Sequence, residues 1–319
     1  MKSFNILLTC SSNKIQLIQW VKKSISKIDC KIKIFAGDTN SNVQSKYFCD
    51  QFWHMPSSVK DNYSTILSYC KKNNIKIIIP SSDRDLEFWS IYKNNLKKYK
   101  IFVMVSDHKT INSCFDKLKF YEKLKDLSFI SYTSNNLNDF KKNQTLISKN
   151  RYGSGSNNII VGKKEKLNNK NLSKKIKKNY IFQKYIKSKN EISIDCYFSK
   201  KNKLLKIVPR NRSLILNGES VITRVINGEN FFTKINQIGF KLNFTGHIMF
   251  QGFIYNKKII IFECNPRIGG ASVMSLFNNM DSIYFFIIES LFPKLKININ
   301  KKIFLDSKLL IFKNTKFLK

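Results

Sequence analysis

Short apolar runs and helical patterns alternate through the first third of the chain. Strands are predicted at residues 4–8 (FNILL), 31–35 (KIKIF), 75–79 (IKIII) and 101–105 (IFVMV). Helices are predicted where apolar residues recur at helical spacing, namely Ile18, Val21 and Ile25, and then Tyr63, Ile66, Leu67 and Cys70. Strands that alternate with helices indicate a parallel sheet with helices on both faces in roughly the first 110 residues.

The pattern changes to hairpin-like strands beyond residue 110. Strands are predicted at residues 145–149, 157–161, 191–198, 203–208, 247–254 and 258–263. Apolar and polar positions alternate in several of them, which is typical of antiparallel strands with one face against a core. The predicted fold class is therefore α/β followed by α+β. Residues 282–292 (SIYFFIIESLF) are predicted to form a buried helix, with dimer contacts as the alternative role, and the Lys-rich tail from residue 296 is expected to be loosely held.

The chain carries 57 Lys and Arg residues against 21 Asp and Glu residues, a formal net charge of +36. Such an excess would suit nucleic acid or an anionic membrane. The lysines are spread along the chain, however, and the densest run, residues 163–178, has no aromatic residue on which a base could stack. A solvated lysine-rich surface is the preferred interpretation, so neither nucleic acid nor a membrane is expected as a partner. A polyanion-binding protein is the less favoured alternative.

Cysteine, histidine and hydropathy patterns restrict the chemistry and the compartment. The seven cysteines are dispersed without a CxxC pair, which is typical of reduced thiols. The three histidines are far apart, and their spacing does not suit a zinc site. The sequence shows neither a signal-peptide pattern nor a run of about 18 apolar residues, so a soluble cytoplasmic protein is expected.

The last apolar strand ends in a polar sequence, ECN. Period-two alternation places Glu263 and Asn265 on one face of this strand, together with Ile259 and Ile261. Carboxylate and amide oxygens without imidazole or thiolate suit Mg²⁺, which keeps several waters and bridges to substrate phosphates. The alternative, a polar hairpin end stabilised by turn chemistry, is less favoured because an unpaired buried glutamate is costly.

A third oxygen ligand is expected from the preceding strand. A three-residue loop at 255–257 would pair Ile254 with Lys258. Gln251 would then lie diagonal to Glu263 on the same face of the hairpin. Three side chains with oxygen atoms are thus predicted to converge on one patch of the sheet.

Three further features suit phosphate groups. Arg267 follows a proline and can offer a planar fork of donors to a phosphate or an acyl phosphate. Gly269 and Gly270 let a ligand approach the backbone before a predicted helix start. Earlier in the chain, Lys149 leaves a predicted strand just before a loop rich in glycine and serine at 153–156. An ordinary hairpin turn is the open alternative for this loop.

Residues 80–88 (PSSDRDLEF) follow the third predicted strand. Open α/β sheets bind ligands at the carboxyl ends of their strands. Asp83 and Asp85 are therefore candidates for substrate contacts, with the alternative that they are turn and N-cap residues.

The order of these motifs resembles the ATP-grasp superfamily, most closely its carbamoyl-phosphate-synthase-like branch. The stretches that carry the resemblance are PSSDRDL from Pro80, DKLKFYEKL from Asp116, LISKNRYGSGS from Leu146, IFQKYIKSKNEISID from Ile181 and FQGFIYNKKIIIFECNPRIGG from Phe250. The domains implied by the resemblance are a Rossmann-like pre-ATP-grasp domain at 1–110, an ATP-grasp small subdomain at 111–180, a large subdomain with the metal site at 181–295 and a C-terminal tail at 296–319.

The resemblance also implies a role for each matched residue. The residues implied to bind the nucleotide are Lys117, Lys149, Ser154, Gly155, Ser156, Gln183, Lys184, Tyr185, Ile186 and Glu191. Those implied to ligate Mg²⁺ or Mn²⁺ are Gln251, Glu263 and Asn265. Arg267 and Lys149 would act in catalysis by stabilising the transferring phosphoryl group. The residues implied to face the substrate are Asp83, Arg210 and Arg212.

Two residues depart from the usual pattern of the family. Asn150 stands where most members have proline, which loosens the turn but retains the charge of the preceding lysine. Gln251 is neutral where many members have an acid, although the resembling synthases also use glutamine there. Nothing in the sequence resembles the second half or the allosteric domain of those synthases, so a carbamoyl phosphate synthase is not expected.

The function implied by the resemblance is an ATP- and Mg²⁺-dependent ligase. It would activate a small carboxylic acid as an acyl phosphate and join it to an amine, forming a C–N bond. The alternative within the same fold is a nucleotide-binding protein without turnover.

Overall fold

The computed structural model describes residues 3–153, 158–168, 179–188, 190–216 and 218–311. Within these ranges the strands form one parallel sheet of five strands and two antiparallel sheets of four and six strands. The α/β and α+β fold class predicted from the sequence is confirmed.

The parallel sheet contains the four apolar runs predicted as strands and one further short strand. Its strands are β1 (Ser3–Thr9), β2 (Lys31–Asp38), β3 (Gln51–His54), β4 (Ile75–Pro80) and β5 (Phe102–Val103), in the order β3-β2-β1-β4-β5. The helices beside it are α1 (Ile15–Ile25), α2 (Tyr63–Lys72) and α3 (Asp83–Lys98). The central strands β1 and β4 are buried along most of their length, as expected for parallel strands covered on both faces.

The chain runs outward from β1 to β3 and then returns to β4 on the other side of β1. The carboxyl ends of β1 and β4 therefore flank the topological switch point, where sheets of this kind bind ligands. Helix α3 begins directly after β4, with Ser82 as its N-cap and the Ser82 hydroxyl accepting the N–H of Arg84. Asp83 and Asp85 both lie in the first turn of this helix, so their alternative interpretation is right about the helix start, although the N-cap itself is Ser82.

Two short helices, α4 (His108–Phe115) and α5 (Lys117–Leu124), lead to the four-stranded sheet. The Asp116 side chain caps α5 by accepting the N–H groups of Leu118 and Lys119 at 3.1 and 3.2 Å. The small sheet contains β6 (Thr133–Ser134), β7 (Thr145–Asn150), β8 (Ile160–Lys163) and β9 (Tyr180–Lys184), in the order β6-β9-β7-β8, and α6 (Lys164–Leu167) follows β8. This sheet has its own small apolar core, formed around Phe140, Leu146, Leu167 and Phe182.

The six-stranded sheet carries most of the polar residues singled out above. Its strands are β10 (Glu191–Phe198), β11 (Leu204–Leu216), β12 (Glu219–Val225), β13 (Gly246–Tyr255), β14 (Lys258–Asn265) and β15 (Lys308–Leu310), in the order β14-β13-β10-β11-β12-β15. The accompanying helices are α7 (Phe232–Leu242), α8 (Val273–Phe277) and α9 (Ser282–Leu291). The predicted strand at 203–208 is in fact the first half of a longer strand, β11.

The parallel sheet and the six-stranded sheet share one apolar core. Leu17 and Ile18 of α1 belong to the same buried cluster as Met274 of α8 and Ile283 and Phe286 of α9. Helix α9 is therefore the buried helix that was predicted. The alternative, in which its apolar face makes dimer contacts, is wrong because that face is inside this core.

The expectation of a loosely held tail is wrong for the residues before 312. Strand β15 pairs with the edge strand β12, whose free backbone groups would otherwise face solvent. The Nζ atom of Lys206 in β11 donates to the carbonyl oxygens of Asn300 and Lys302 at 2.5 and 3.2 Å. Residues 312–319 lie outside the described part of the chain.

The turn of the β13–β14 hairpin differs from the predicted one. Asn256 and Lys257 form a two-residue turn, and both have the left-handed backbone conformation that such a turn requires (φ 49° and 59°). Tyr255, rather than Ile254, therefore pairs with Lys258. The predicted three-residue loop was wrong because the sequence alone did not reveal two consecutive non-glycine residues with positive φ.

A β-bulge then shifts the pairing of β13 with β14 by one residue. Gly252 pairs with Ile261, whereas Gln251 pairs with Glu263, so that Phe262 is an extra residue in β14. Gln251 is thus directly opposite Glu263, not diagonal to it as predicted.

The same bulge changes which residues of β14 share a face. Ile259 and Ile261 are buried in the core of the sheet, whereas Phe262, Glu263 and Asn265 line a cavity on the other side. The prediction that Glu263 and Asn265 share a face is confirmed. The placement of the two isoleucines on that face was wrong because strict period-two alternation ends at a bulge.

Candidate functional site

A cavity of about 440 Å³ lies between the small sheet and the six-stranded sheet. Strands β7 and β9 contribute to one wall, and β10, β11, β13 and β14 contribute to the opposite wall. Cavities of this size are typical of sites for small molecules and nucleotides. Every proposed site residue within the described ranges lines this cavity except Asp83 and Asp85, and of these two Asp83 contacts a lining residue.

The floor of the cavity contains the predicted metal ligands. Gln251 and Glu263 face each other across the hairpin, and Asn265 follows two residues after Glu263 on the same face. Glu263 is 15% exposed, so its carboxylate is accessible only from the cavity. Within the described ranges no group of three or more His, Cys, Asp or Glu residues converges, which leaves one carboxylate and two amides here. This donor set fits a hard cation that brings water and phosphate oxygens as its remaining ligands.

Lys149 projects from β7 toward this floor. Its Nζ atom is 3.9 Å from Oε2 of Glu263 and 4.6 Å from the ring centroid of Phe262. Burial lowers the pKa of Lys149 to about 8, the charge of Glu263 opposes this shift, and the charge of Lys117 adds to it. A buried ammonium at this distance from its counter-ion is a strong attractor for a phosphate oxygen.

Lys117 and its neighbours connect α5 to the loop that follows β7. The Nζ atom of Lys117 donates to the carbonyl oxygen of Gly153 at 2.5 Å. The guanidinium of Arg151 donates twice to Asp116, at 2.7 Å in each case. Burial alone would raise the pKa of Asp116, but the hydrogen bond and charge of Arg151 together with the backbone N–H groups of Lys119 and Leu118 outweigh burial, and the pKa is lowered. The remaining residues proposed for this loop, Ser154, Gly155 and Ser156, lie outside the described residues.

Sequence reasoning missed the partnership of Asp116 with Arg151. Asp116 was noted only as the start of a helix motif, and Arg151 was not assigned a role. Arg151 follows Lys149 by two residues but lies just beyond β7, which ends at Asn150, so the strand pattern does not indicate its direction. Its partner could not be inferred either, because Asp116 lies 35 residues earlier.

The residues proposed for the adenine pocket lie along β9 and just beyond it. The amide of buried Gln183 donates to the hydroxyl of Thr133 at 2.8 Å, so this side chain is held by the protein. Lys184, Tyr185 and Ile186 follow along the cavity wall. Further apolar side chains line the same space, and they are Ile147, Phe253, Ile260 and Phe262. This part of the cavity is suited to a flat, apolar ring system.

Glu191 and Arg212 form an ion pair at the edge of the cavity. Arg212 also donates to the Ser220 hydroxyl at 2.8 Å and to the Gly218 carbonyl oxygen at 2.6 Å. Its Nη1 atom is 3.5 Å from Oε1 of Gln251. Arg212 therefore links Glu191, proposed to bind ribose, with Gln251, a proposed metal ligand. Most N–H groups of Arg212 already have acceptors within the protein.

Arg210 is held by the deeply buried Asp195. The Arg210 Nε atom donates to Oδ2 of Asp195 at 2.8 Å, and the hydroxyls of Ser272 and Ser275 donate to the same carboxylate at 2.5 and 2.6 Å. Burial alone would raise the pKa of Asp195, but the charge of Arg210 and the hydrogen bond from His247 outweigh burial and the pKa is lowered. Arg210 thus presents a fixed positive charge to the cavity.

Arg267 contacts the N-terminal domain. Its Nε and Nη2 atoms donate to the two carboxylate oxygens of Asp83 at 2.8 and 2.5 Å. Asp85, the other carboxylate considered after β4, is 2% exposed and accepts hydrogen bonds from Thr9 and Trp89 inside that domain. The structure therefore brings Asp83, but not Asp85, to the site.

The fold and the cavity are those of an ATP-grasp protein, and two family models match the chain. Residues 6–104 match the family model of a PylC-like N-terminal domain, and residues 114–271 match that of an ATP-grasp domain. The chain belongs to the ATP-grasp superfamily, and the expectation of an ATP-dependent ligase is confirmed at the level of that family. No curated protein matches the sequence.

Solved structures support the same fold at low sequence identity. N5-carboxyaminoimidazole synthetase from Staphylococcus aureus superposes with a TM-score of 0.66 and 16% identity, over 91% of this chain and 78% of that one. Biotin carboxylase from Campylobacter jejuni gives 0.71 and 14%, over 95% and 74%. L-amino acid ligase from Bacillus licheniformis gives 0.65 and 14%, over 92% and 75%. In the part of the chain that the structure describes, no helix has the length and apolar character needed to span a bilayer.

Proposed function

We propose that this protein joins a small carboxylic acid to an amine at the cost of one ATP, through an acyl-phosphate intermediate. The observation that carries the proposal is the convergence of Lys149, Arg267 and the oxygen atoms of Gln251, Glu263 and Asn265 on one cavity. In this proposal residues 1–110 form the pre-ATP-grasp domain, and residues 111–180 and 181–295 form the two ATP-grasp subdomains.

The cavity is proposed to hold the nucleotide with its base at the small sheet and its phosphates at the floor. The backbone of residues 183–186 and the apolar side chains beside it would receive adenine, and Glu191 would receive the ribose hydroxyls. Lys117 and Lys149 would contact the phosphates. This arrangement is supported by the low pKa of Lys149, because its buried charge is paired only with Glu263 at 3.9 Å and gains from an anionic ligand.

Gln251, Glu263 and Asn265 are proposed to hold Mg²⁺, or Mn²⁺ in its place. When bound, the ion would neutralise phosphate charge and orient the γ-phosphoryl group. The donor chemistry supports this assignment, since one carboxylate and two amides suit an ion that retains water ligands.

The protein's own part in the reaction is positioning and charge neutralisation. A substrate carboxylate oxygen attacks the γ-phosphorus of ATP, and the bond to ADP breaks. Lys149 and Arg267 donate to the phosphoryl oxygens as negative charge collects on them. The nitrogen of the amine then attacks the acyl carbon, phosphate leaves, and the nitrogen loses a proton. Arg210 is proposed to orient the acid, because its charge is fixed by Asp195 and directed to the cavity.

The substrates are proposed to be small molecules that enter where the N-terminal domain meets the cavity. Asp83 and Arg267 lie at that junction. The proteins of similar fold act on different small molecules according to their names, so fold alone does not select the acid or the amine. A cytoplasmic location and a homodimer remain predictions.

The proposal is tested by measuring ADP release from ATP and Mg²⁺ with a panel of acids and amines, after thermal shifts have identified the compounds that bind. Turnover that requires one acid and one amine is expected, and Glu263→Gln should abolish it while the protein still folds. Intact turnover in Glu263→Gln would contradict the metal assignment. Binding of ATP without turnover on any pair would instead indicate a nucleotide-binding protein. Salt-sensitive retention on nucleic acid without a nucleotide-induced thermal shift would indicate a polyanion-binding protein.

A further inference from the structure

Asp83 and Arg267 form an ion pair that joins the N-terminal domain to the cavity. The pair is bidentate, with distances of 2.8 and 2.5 Å between donors and acceptors, which is the strongest geometry for these groups. Asp83 is the first residue of α3, whereas Arg267 follows β14, so the partners are 184 residues apart. Both side chains are largely shielded from solvent, at 20% and 15% exposure.

The ion pair is not needed to hold the two domains together. A continuous apolar core already joins them, with Ile18 and Val21 of α1 in the same cluster as Ile283 of α9. Lys27 and Asp281 form a second ion pair between these elements at 2.6 Å, away from the residues that line the cavity. The apolar surface buried in this core contributes more to the free energy of unfolding than one partly exposed ion pair does. The location of the Asp83 contact at the cavity is therefore better explained by a role in the site.

The contacts of Arg267 fix the plane of its guanidinium. Besides the two donations to Asp83, Nη1 donates to the carbonyl oxygen of Ile268 at 3.3 Å. An arginine has five N–H donors, so two of them, one on each terminal nitrogen, have no acceptor among the residues that the structure describes. Arg267 lines the cavity together with Glu263 and Asn265. The two remaining donors are available to a ligand at the cavity floor.

Asp83 also stabilises the charged form of Arg267, although this guanidinium is largely buried. Burial disfavours the charged guanidinium, but the charge and hydrogen bonds of Asp83, with the charges of Glu263 and Glu219, outweigh burial and the pKa of Arg267 is raised. Lys14, just before α1, adds a second positive charge nearby. Burial and the charge of Arg267 lower the pKa of Lys14, whereas Glu219 and Asp83 oppose that shift. Asp83 therefore offsets the repulsion between these two cations.

We propose that Asp83 is a positioning residue for Arg267. It holds the guanidinium so that the two uncommitted N–H groups meet the transferring phosphoryl group. The inference rests on the proposed ligase function and gives the N-terminal domain a part in the phosphoryl-transfer step itself. Asp83 acts through Arg267 and does not contact the reacting atoms.

The test uses Mg²⁺ and ADP with and without aluminium fluoride, because ADP with aluminium fluoride resembles a phosphoryl group in transfer. Calorimetry should show that the fluoride tightens ADP binding to the wild-type protein. Asp83→Asn should change the affinity for ADP alone by no more than about twofold. It should reduce the gain in ADP affinity that aluminium fluoride gives by about tenfold or more. Asp83→Glu retains the charge and should keep part of this gain in affinity. Asp107→Asn removes an exposed carboxylate paired with Lys93 in the same domain and should change neither value.

Arg267→Lys should also lose the gain, and adding Asp83→Asn to it should cost little more, because both changes act through the same guanidinium. The inference is overturned if Asp83→Asn keeps the full gain. It is also overturned if this variant weakens ADP alone as much as ADP with fluoride, which would indicate a purely structural role. Thermal unfolding checks the fold, and Asp83→Glu replaces the asparagine variant if that one unfolds. A wild-type protein that does not bind ADP would contradict the proposed function itself.

Discussion

Gln251 and Glu263 are paired directly across the β13–β14 hairpin because Phe262 is an extra residue in β14. The bulge places Phe262 on the cavity side as well, where its ring lies 4.6 Å from the ammonium of Lys149. One irregularity in the strand ladder therefore builds both the candidate metal face and the surroundings of the candidate phosphate-binding lysine. Bulges are common next to active sites for this reason.

The bulge depends on a glycine at position 252. A Cβ atom on Gly252 would lie 2.5 Å from the carbonyl oxygen of Ile260, which is closer than atoms can approach. Gly252→Ala is expected to lower the free energy of unfolding by about 1–3 kcal/mol, because the ladder must shift. Gly162→Ala is the matched control in a strand, since its Cβ would be 3.8 Å from the nearest atom. Urea unfolding compares the two, and equal losses would contradict the role of the bulge.

Lys149 is expected to contribute to binding rather than to stability. Lys149→Met removes a buried charge that has only a distant counter-ion, so the free energy of unfolding should stay the same or rise. The affinity for ADP should fall by about 10–100-fold, because a charge-assisted hydrogen bond to phosphate is lost. Lys163→Met on β8 changes an exposed lysine and should leave ADP binding unaffected. A loss of stability without a loss of affinity would contradict this assignment of Lys149.

Asp116 and Arg151 are expected to be strongly coupled. Asp116 is buried, caps α5 and receives both donations from Arg151, so each single change leaves a partner unsatisfied. A double-mutant cycle with Asp116→Asn and Arg151→Leu should give an interaction energy of about 1–3 kcal/mol in the free energy of unfolding. The exposed pair of Arg224 and Asp306 is the control and should give less than about 1 kcal/mol. Similar values for the two pairs would contradict the expected coupling.

The order of elements, the candidate metal ligands and Lys149 could be predicted from local patterns in the sequence, whereas most of the residues proposed to bind the nucleotide come from the family resemblance. Lys149, Glu263 and Asn265 lie at the ends of their strands whatever the register of strand pairing is. Helix α9 is apolar enough to require burial. The fold class follows from the change from alternating strands and helices to consecutive strands. These features do not depend on which distant residues meet.

The remaining features depend on contacts between distant parts of the chain. The bulge at Phe262 needs the partner strand to define it, and the pairing of Asp83 with Arg267 needs two domains in their final arrangement. The docking of β15 on β12 likewise depends on a free sheet edge that no local pattern reveals. Sequence periodicity carries no information about such contacts, so they appear only in the folded molecule.

Lys206 gives the fold a specific dependence on pH. Its side chain is buried in β11, and burial lowers its pKa from 10.5 to about 8. Between these two values the unfolded chain binds more protons at this position than the folded protein does, so stability rises with pH. Below about pH 8 lysine is protonated in both states and the contribution is constant.

The free energy of unfolding of the wild-type protein should therefore rise relative to that of Lys206→Met as the pH increases from about 8 to about 10. The rise can be at most about 1.4 kcal/mol per pH unit, because one group titrates. Urea unfolding of both proteins over this range measures the difference, and Lys203→Met, which changes an exposed lysine just before the same strand, should show no such trend. A difference that stays constant, or falls as the pH rises, would mean that Lys206 is not desolvated in the folded protein and that the segment at 300–302 does not cover it.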